Sequence, residues 1–341
     1  MAATIKDIAK KLNYSTSTVS YALNGGPRPV PEAVKENVFA VARELGYRPN
    51  RIAKSLVTRQ SRTIGIVLQR STHDVFLAPY LNAVFNAVMN IAEDRLYDVL
   101  VFSQHKTATV AQFTNQLLDG RVDGVLLISS AALPELAQDL QAYGLPATAM
   151  FTSDLGVPRV LANNRGGVRQ ALEHLVSLGH RKIGLVTGPE GLIDSEERRA
   201  AFTEFIAEQG LEWRAEWAFD GNFDQPGGYA AGKHFLGLSD GPTALFTSND
   251  EMAVGAYLAL QEAGVSIPTD LSIVGFDDIP HARYLTPHLT TVRQPMDAIG
   301  SAAADHLIAI IEGQSAPSLT LFDTELVVRG STASPKQDIP S

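Results

Sequence analysis

Apolar positions near the start of the chain recur at helical spacing in three short blocks. In "TIKDIAKKL", Ile5, Ile8, Ala9 and Leu12 fall at i, i+3, i+4 and i+7, which predicts an amphipathic helix of about two turns. In "STSTVSYALN", Val19, Ala22 and Leu23 make one buried stripe, while Ser17, Ser20, Tyr21 and Asn24 occupy the opposite arc with Thr16 at its edge. Ser15 stands at the N-cap position, where its hydroxyl can take up a free backbone N–H. Only Asn13 and Tyr14 separate the two blocks, so the helices must turn sharply against each other. A third helix is expected from about Pro31 to Leu45, with Val34, Val38, Val41, Ala42 and Leu45 inward and Gly46 as its stop.

From Thr63 the period changes. Short apolar runs, "TIGIVLQ", "YDVLVFS", "VDGVLLIS", "RKIGLVTG", "TALFTSND" and "LSIVGFDD", alternate with helical stretches. Buried strands alternating with helices predict a parallel, doubly wound α/β sheet. The series runs once over about 63–160 and again over about 182–288, so two similar lobes are expected. In such sheets ligands bind beyond the carboxyl ends of the strands, which here means the cleft between lobes.

Charge divides the chain in the same place. Residues 1–62 carry eleven Lys or Arg against four Asp or Glu, a charge of +7, which leaves −16 on the rest of a chain whose total is −9. A basic end attracts phosphate by counterion release, and an acidic body is repelled by it. Three short helices on a basic module, the second turning hydroxyls outward, read as helix-turn-helix binding to the major groove of duplex DNA. A length of 341 residues with 45% hydrophobic content is enough for two or three domains. No run approaches a membrane span and the start lacks a secretory signal, so a cytoplasmic protein without membrane attachment is expected. With no cysteine, disulfides, thiolate metal sites and cysteine nucleophiles are excluded.

The blocks "TIKDIAKKLNYSTSTVSYALNG" and "ARELGYRPNRIAKSL" resemble the N-terminus of the lac/galactose repressor family of bacterial transcription factors. "ALEHLVSLGHRKIGLVTGP" and "SIVGFDD" resemble that family's periplasmic-binding-protein-like core. The resemblance implies a helix-turn-helix domain at 1–48, a hinge helix or linker at 49–61, an effector-binding and dimerisation domain at 62–334 and a tail at 335–341. It divides the core into a first lobe of about 62–161 and 293–322 and a second of about 162–292 and 323–334, with crossings near 162, 292 and 322. Thr16, Ser17 and Tyr21 would then read bases, while Thr4, Ser15, Thr18, Ser20 and Asn24 would touch phosphates or fix orientation. Tyr21 replaces the Arg or His common at its position, which removes a bidentate grip on guanine. In the hinge, Asn50 caps a short helix with Ala53 and Lys54, and Leu56 would wedge into the minor groove. Val57 departs from the polar or basic residue frequent in relatives.

For the core, the resemblance makes Arg198 in "DSEERRAAF", Asn249, Asp277 and the stacking ring of Phe223 the effector contacts, with Asp250 as the cap of the following helix and Asp278 pinning its loop. Gln69, Phe76, Ser129 and Gln294 are further candidates from the other lobe. Phe151 stands where some sugar-responsive relatives have an aspartate. The expected partners are a roughly palindromic operator, a second copy of the chain, and a small polar effector, a sugar or derivative, with a purine or nucleoside as the alternative; a solute-binding protein without DNA function is the rival reading. The helices "APYLNAVFNAVMNIAE" and "EMAVGAYLALQEAG" are expected dimer surfaces. No cofactor, metal or enzymatic activity is expected. "GGYAAGK" fits a phosphate loop only until its next residue, His234, and lies inside a helical stretch. His174 and His180 lack a third ligand beside them and read as structural.

Overall fold

The computed structural model describes residues 3–25, 28–48, 60–68, 79–103, 109–128 and 133–336. Met1–Ser61 and Arg62–Ser341 form two separate compact units. The first holds α1 (Ile5–Leu12), α2 (Thr16–Asn24) and α3 (Glu32–Glu44). Ile8, Ala9, Val19, Ala22, Val38 and Ala42 are its buried centre, one or two inward turns from each helix. The capping reading of Ser15 agrees with the geometry, since its hydroxyl accepts the Thr18 N–H at 3.0 Å. Thr4 caps α1, and its amide and hydroxyl both donate to Asp7 Oδ2, at 2.8 and 2.7 Å. Those two hydrogen bonds hold the Asp7 carboxyl below its ordinary range.

The second unit contains two six-stranded sheets. The first has the order β11-β5-β4-β3-β1-β2, built from β1 (Thr63–Leu68), β2 (Asp98–Ser103), β3 (Gly124–Ile128), β4 (Ala147–Met150), β5 (Arg159–Ala162) and β11 (Leu319–Phe322). All its pairings are parallel. Helices α4 (Pro79–Asp94) and α11 (Met296–Ile311) cover one face, and α5 (Val110–Leu117) and α6 (Leu133–Ala142) the other. The second sheet has the order β12-β10-β9-β8-β6-β7, from β6 (Ile183–Thr187), β7 (Ala218–Asp220), β8 (Ala244–Thr247), β9 (Ser272–Asp277), β10 (Thr290–Arg293) and β12 (Glu325–Val327). Its only antiparallel pair among the described residues joins β10 to β12. Helices α7 (Asn164–Ser177) and α8 (Ile193–Glu208) pack on one face, α9 (Gln225–Leu236) and α10 (Asp250–Glu262) on the other.

The chain passes between the sheets after Ala162, Arg293 and Phe322. Two crossings are tied together: Asn163 Nδ2 donates to Asp323 Oδ1 at 3.1 Å and the Thr324 hydroxyl to the Asn163 carbonyl at 3.2 Å. The loop-like glycines of "GGYAAGK" are helix-packing glycines. A Cβ on Gly228 would stand 2.0 Å from the Met252 carbonyl, and one on Gly255 2.0 Å from that of Gln225, so α9 and α10 touch backbone to backbone. The two histidines anchor the C-terminal segment: His174 meets the Thr332 hydroxyl at 2.9 Å, and buried His180 meets Thr243, Ser272 and the Ala333 carbonyl at 2.8–3.1 Å. Burial lowers the pKa of both rings. Among the described residues no helix is long and apolar enough to cross a membrane, and no cluster of side chains could hold a metal ion.

Candidate DNA-reading face and effector cleft

In the three-helix unit, Thr16 and Ser17 are exposed, and Thr18, Ser20, Tyr21 and Asn24 are half-buried. The hydroxyl of Ser15 is occupied by its cap and by Thr18 Oγ1 at 2.8 Å, and that of Thr4 by Asp7. Thr16, Ser17, Ser20 and Tyr21 line a shallow groove of about 360 Å³ together with Ile5 and Lys6 of α1. Four residues of the outer arc of α2 therefore share one surface with the first turn of α1. Asn50, Ala53, Lys54 and Leu56 lie outside the described residues, as do Gln69, Phe76 and Ser129 of the first lobe.

In the second lobe, the loops after strands bring Arg198, Asp277, Phe223, Asn249 and Gln294 together. Asp277 ends β9 and Asn249 follows β8. Arg198, on the second turn of α8, is 3% exposed. Its Nε donates to Asn164 Oδ1 at 2.8 Å and its Nη1 to the Ser248 carbonyl at 2.5 Å. Nη1 also lies 3.6 Å from Asp277 Oδ1. The guanidinium stacks 3.9 Å over the Phe276 ring and 5.9 Å from the Phe223 centroid. Asn164 is held in turn, its Nδ2 donating to Asp194 and Glu197 at 2.8 Å each.

Asp277 accepts from Gln294 Nε2 at 2.6 Å. Gln294 lies in the second crossing between lobes, and its Oε1 is buried without a partner in the protein. The Ser195 and Ser248 hydroxyls are buried and unpartnered as well. Burial pushes the Asp277 carboxyl up to about 7, with Arg198 and Gln294 pulling the other way. At 3.6 Å the ion pair is too long to offset desolvation. The carboxyl is thus held near its titration point by a site that removes water and supplies only part of the replacement.

Two expectations about this loop change. Asn249, and not Asp250, caps α10: its Oδ1 accepts the Met252 N–H at 2.9 Å and its Nδ2 donates to the Phe223 carbonyl at 3.0 Å. Asp250, one residue on and fully buried, braces the β9 turn by accepting the Ile279 N–H at 2.9 Å and the Thr291 hydroxyl at 2.6 Å. Gly275 makes room for it, since a Cβ there would stand 2.1 Å from Asp250 Oδ1. Burial and neighbouring Asp277 raise the Asp250 pKa well above the ordinary carboxylate value. Asp278 pins the loop through Arg293 at 2.8 Å and Arg329 at 2.5 Å.

Backbone strain gathers in the same place. Asp277 (φ 118°), Asp278 (57°), Asn222 (55°), Phe223 (57°) and Phe151 (54°) are five of the eight non-glycine residues with positive φ among those described. Such conformations cost on the order of 1–3 kcal/mol each and collect at functional sites. Phe223 lies on the backbone of Gly188, where a Cβ would meet its ring at 2.3 Å. From the first lobe Tyr80 faces this cluster. Burial raises its pKa, as do Asp277 and Asp194, against Arg198, and its ring meets Phe151 edge-on with centroids 6.3 Å apart. Asn164, Ser248, Asp194 and Tyr80 escaped sequence reading; only Asn164 left a signal there, an Asn doublet at a strand end.

Residues 4–50 match the family described as bacterial regulatory proteins, lacI family, and 172–332 match a periplasmic binding protein-like domain. The ribose operon repressor of Haemophilus influenzae is 33% identical over 338 residues, 98% of this chain and all of its own. The chain belongs to the LacI family. Another of its members, the transcriptional repressor PurR of Proteus mirabilis, is 34% identical over 97% of both chains. A solved LacI-family structure, the Lac repressor dimer bound to operator and the anti-inducer ONPF, superposes with a TM-score of 0.86 at 27% identity, covering 98% of this chain and all of that one. This LacI-family chain is accordingly a DNA-binding transcriptional regulator with an effector-binding core.

Proposed function

We propose that the protein is a non-enzymatic, cytoplasmic repressor that binds a roughly palindromic operator as a homodimer and releases or tightens its grip when a neutral polyhydroxylated molecule, a sugar or derivative, enters the cleft. The observation that carries the reading is the buried Arg198–Asp277 pair beside Phe223. The guanidinium donors that Asn164 and Ser248 do not take up, a carboxylate acceptor and a flat apolar ring suit a ring compound with hydroxyls on its rim and one apolar face. Unpartnered Ser195, Ser248 and Gln294 atoms offer that rim further hydrogen bonds. Tyr80, backed edge-on by the buried Phe151 ring, brings aromatic surface toward the cluster from the first lobe, which favours a compact ligand.

On DNA, Thr16, Ser17 and Tyr21 face the bases, and the segment 49–61, with Leu56, pairs with its counterpart in the partner. Met89 on α4 and Leu258 on α10, 56% and 52% exposed, belong to the dimer surfaces, with half-buried Val254 beside Leu258; the other apolar residues of α10 are already buried within its own lobe. Titration calorimetry of the full chain against neutral mono- and disaccharides, sugar acids and purines tests the effector class. Binding only to purines, or to nothing in the panel, would overturn it. Steep loss of duplex affinity with salt is expected from the +7 end, and a flat dependence would remove the phosphate contacts.

A further inference from the structure

The face of α2 carries an apolar-walled groove whose lining, among the described residues, has no arginine, asparagine or glutamine. Ile5, Thr16 and Tyr21 supply carbon surface, Ser17, Ser20 and Tyr21 supply hydroxyls, and Lys6 supplies one cation. Base pairs differ in what they present to such a lining. Guanine shows two adjacent acceptors that call for a bidentate donor, and adenine shows an acceptor beside a donor that calls for a carboxamide. Thymine alone among the four bases shows a methyl group beside a single acceptor, O4. The hydroxyls and Lys6 can reach acceptors on a purine as well as thymine O4, but only thymine also places a methyl against the carbon walls, so the groove as a whole matches thymine. The basic character of the surrounding unit, eleven Lys or Arg against four acids over residues 1–62, complements duplex DNA as the body that carries the base.

We infer that this groove is a thymine-reading site, in which the Tyr21 ring and Ile5 enclose the C5-methyl while a hydroxyl of Ser17, Ser20 or Tyr21 donates to O4, making Tyr21 a specificity-determining residue of the operator half-site. The inference rests on the operator reading proposed above and adds which chemical group of which base is recognised. Tyr21 is free for the role because the fold does not need its ring inside: the helix core is made by Val19 and Ala22, while Tyr21 is half-buried. Lys6, at the groove's edge on the first turn of α1, can contact a phosphate or the same O4 without competing for the methyl.

The test uses the full chain and the duplex recovered by selecting bound sequences from a random library. Each thymine of a half-site is replaced singly by deoxyuridine, which deletes the methyl and leaves every hydrogen-bonding group in place. At one thymine per half-site, the loss of the methyl contact should weaken binding about four-fold, or about fifteen-fold when both half-sites are changed. In Tyr21→Ala that penalty should vanish at the same position, and in Tyr21→Phe, which keeps the carbon wall, it should persist. Circular dichroism of the variants checks that α2 remains folded. Uniform indifference to deoxyuridine, or a penalty unchanged in Tyr21→Ala, overturns the inference while leaving operator binding intact. A selection that enriches no sequence overturns the operator reading, and the inference falls with it.

Discussion

Replacing Asp277 by Asn should make the protein relatively more stable as the pH rises. The carboxyl is pushed up to about 7 in the fold from an ordinary value of 3.8, so between those values the native state holds a proton that the unfolded chain has released. Stability from this group is fully present below about pH 4 and is lost as pH rises toward 7. The whole shift corresponds to roughly 4 kcal/mol, and the part falling between pH 5 and 8 to roughly 3 kcal/mol. A carboxamide in its place would not titrate. Urea unfolding of the wild type and of Asp277→Asn, in parallel from pH 5 to 8, should therefore show the difference moving in favour of the variant by roughly 3 kcal/mol. A ligand whose hydroxyls donate to the ionised carboxylate would reverse the cost, so sugar affinity in the wild type should rise with pH and level off above about 7. A difference that stays constant across the range would refute the picture of a desolvated, under-compensated carboxyl.

Arg198→Ala should abolish the effector response while helical content and dimerisation survive, because α8 keeps its apolar face on β6 through Phe202 and Phe205; an unchanged sugar titration would remove Arg198 from the site. Gly255→Ala places a Cβ 2.0 Å from the Gln225 carbonyl and should cost on the order of 1–3 kcal/mol by forcing α9 and α10 apart, seen as an earlier unfolding midpoint; an unshifted midpoint would contradict the close approach. Leu56→Ala should weaken specific operator binding far more than binding to random duplex, and equal losses would argue against a minor-groove wedge.

Much of this was readable from the chain, for identifiable reasons. Val19 and Ala22 at i and i+3 sit in the head core, and Ser15 caps α2, because both depend on local periodicity and local hydrogen bonding. The shift of the helix cap from Asp250 to Asn249 was not readable: both residue types cap helices well, and which one does depends on where β8 ends and how β9 packs against the helix start. Asn164 and Tyr80 reach the site from distant parts of the chain, through a crossing between sheets and a helix of the other lobe, and no local pattern encodes such convergence. The positive φ angles of Asp277 and Phe223 are equally silent in sequence, since neither position carries the glycine that would announce them.

A free-energy coupling between cleft and operator is measured most directly by reciprocal titration. Operator affinity is read by fluorescence anisotropy with and without a saturating sugar, and sugar affinity by calorimetry with and without operator. Both ratios should be equal and fall within about 5- to 150-fold. A sugar that occupies the cleft and leaves operator affinity unchanged would contradict that coupling.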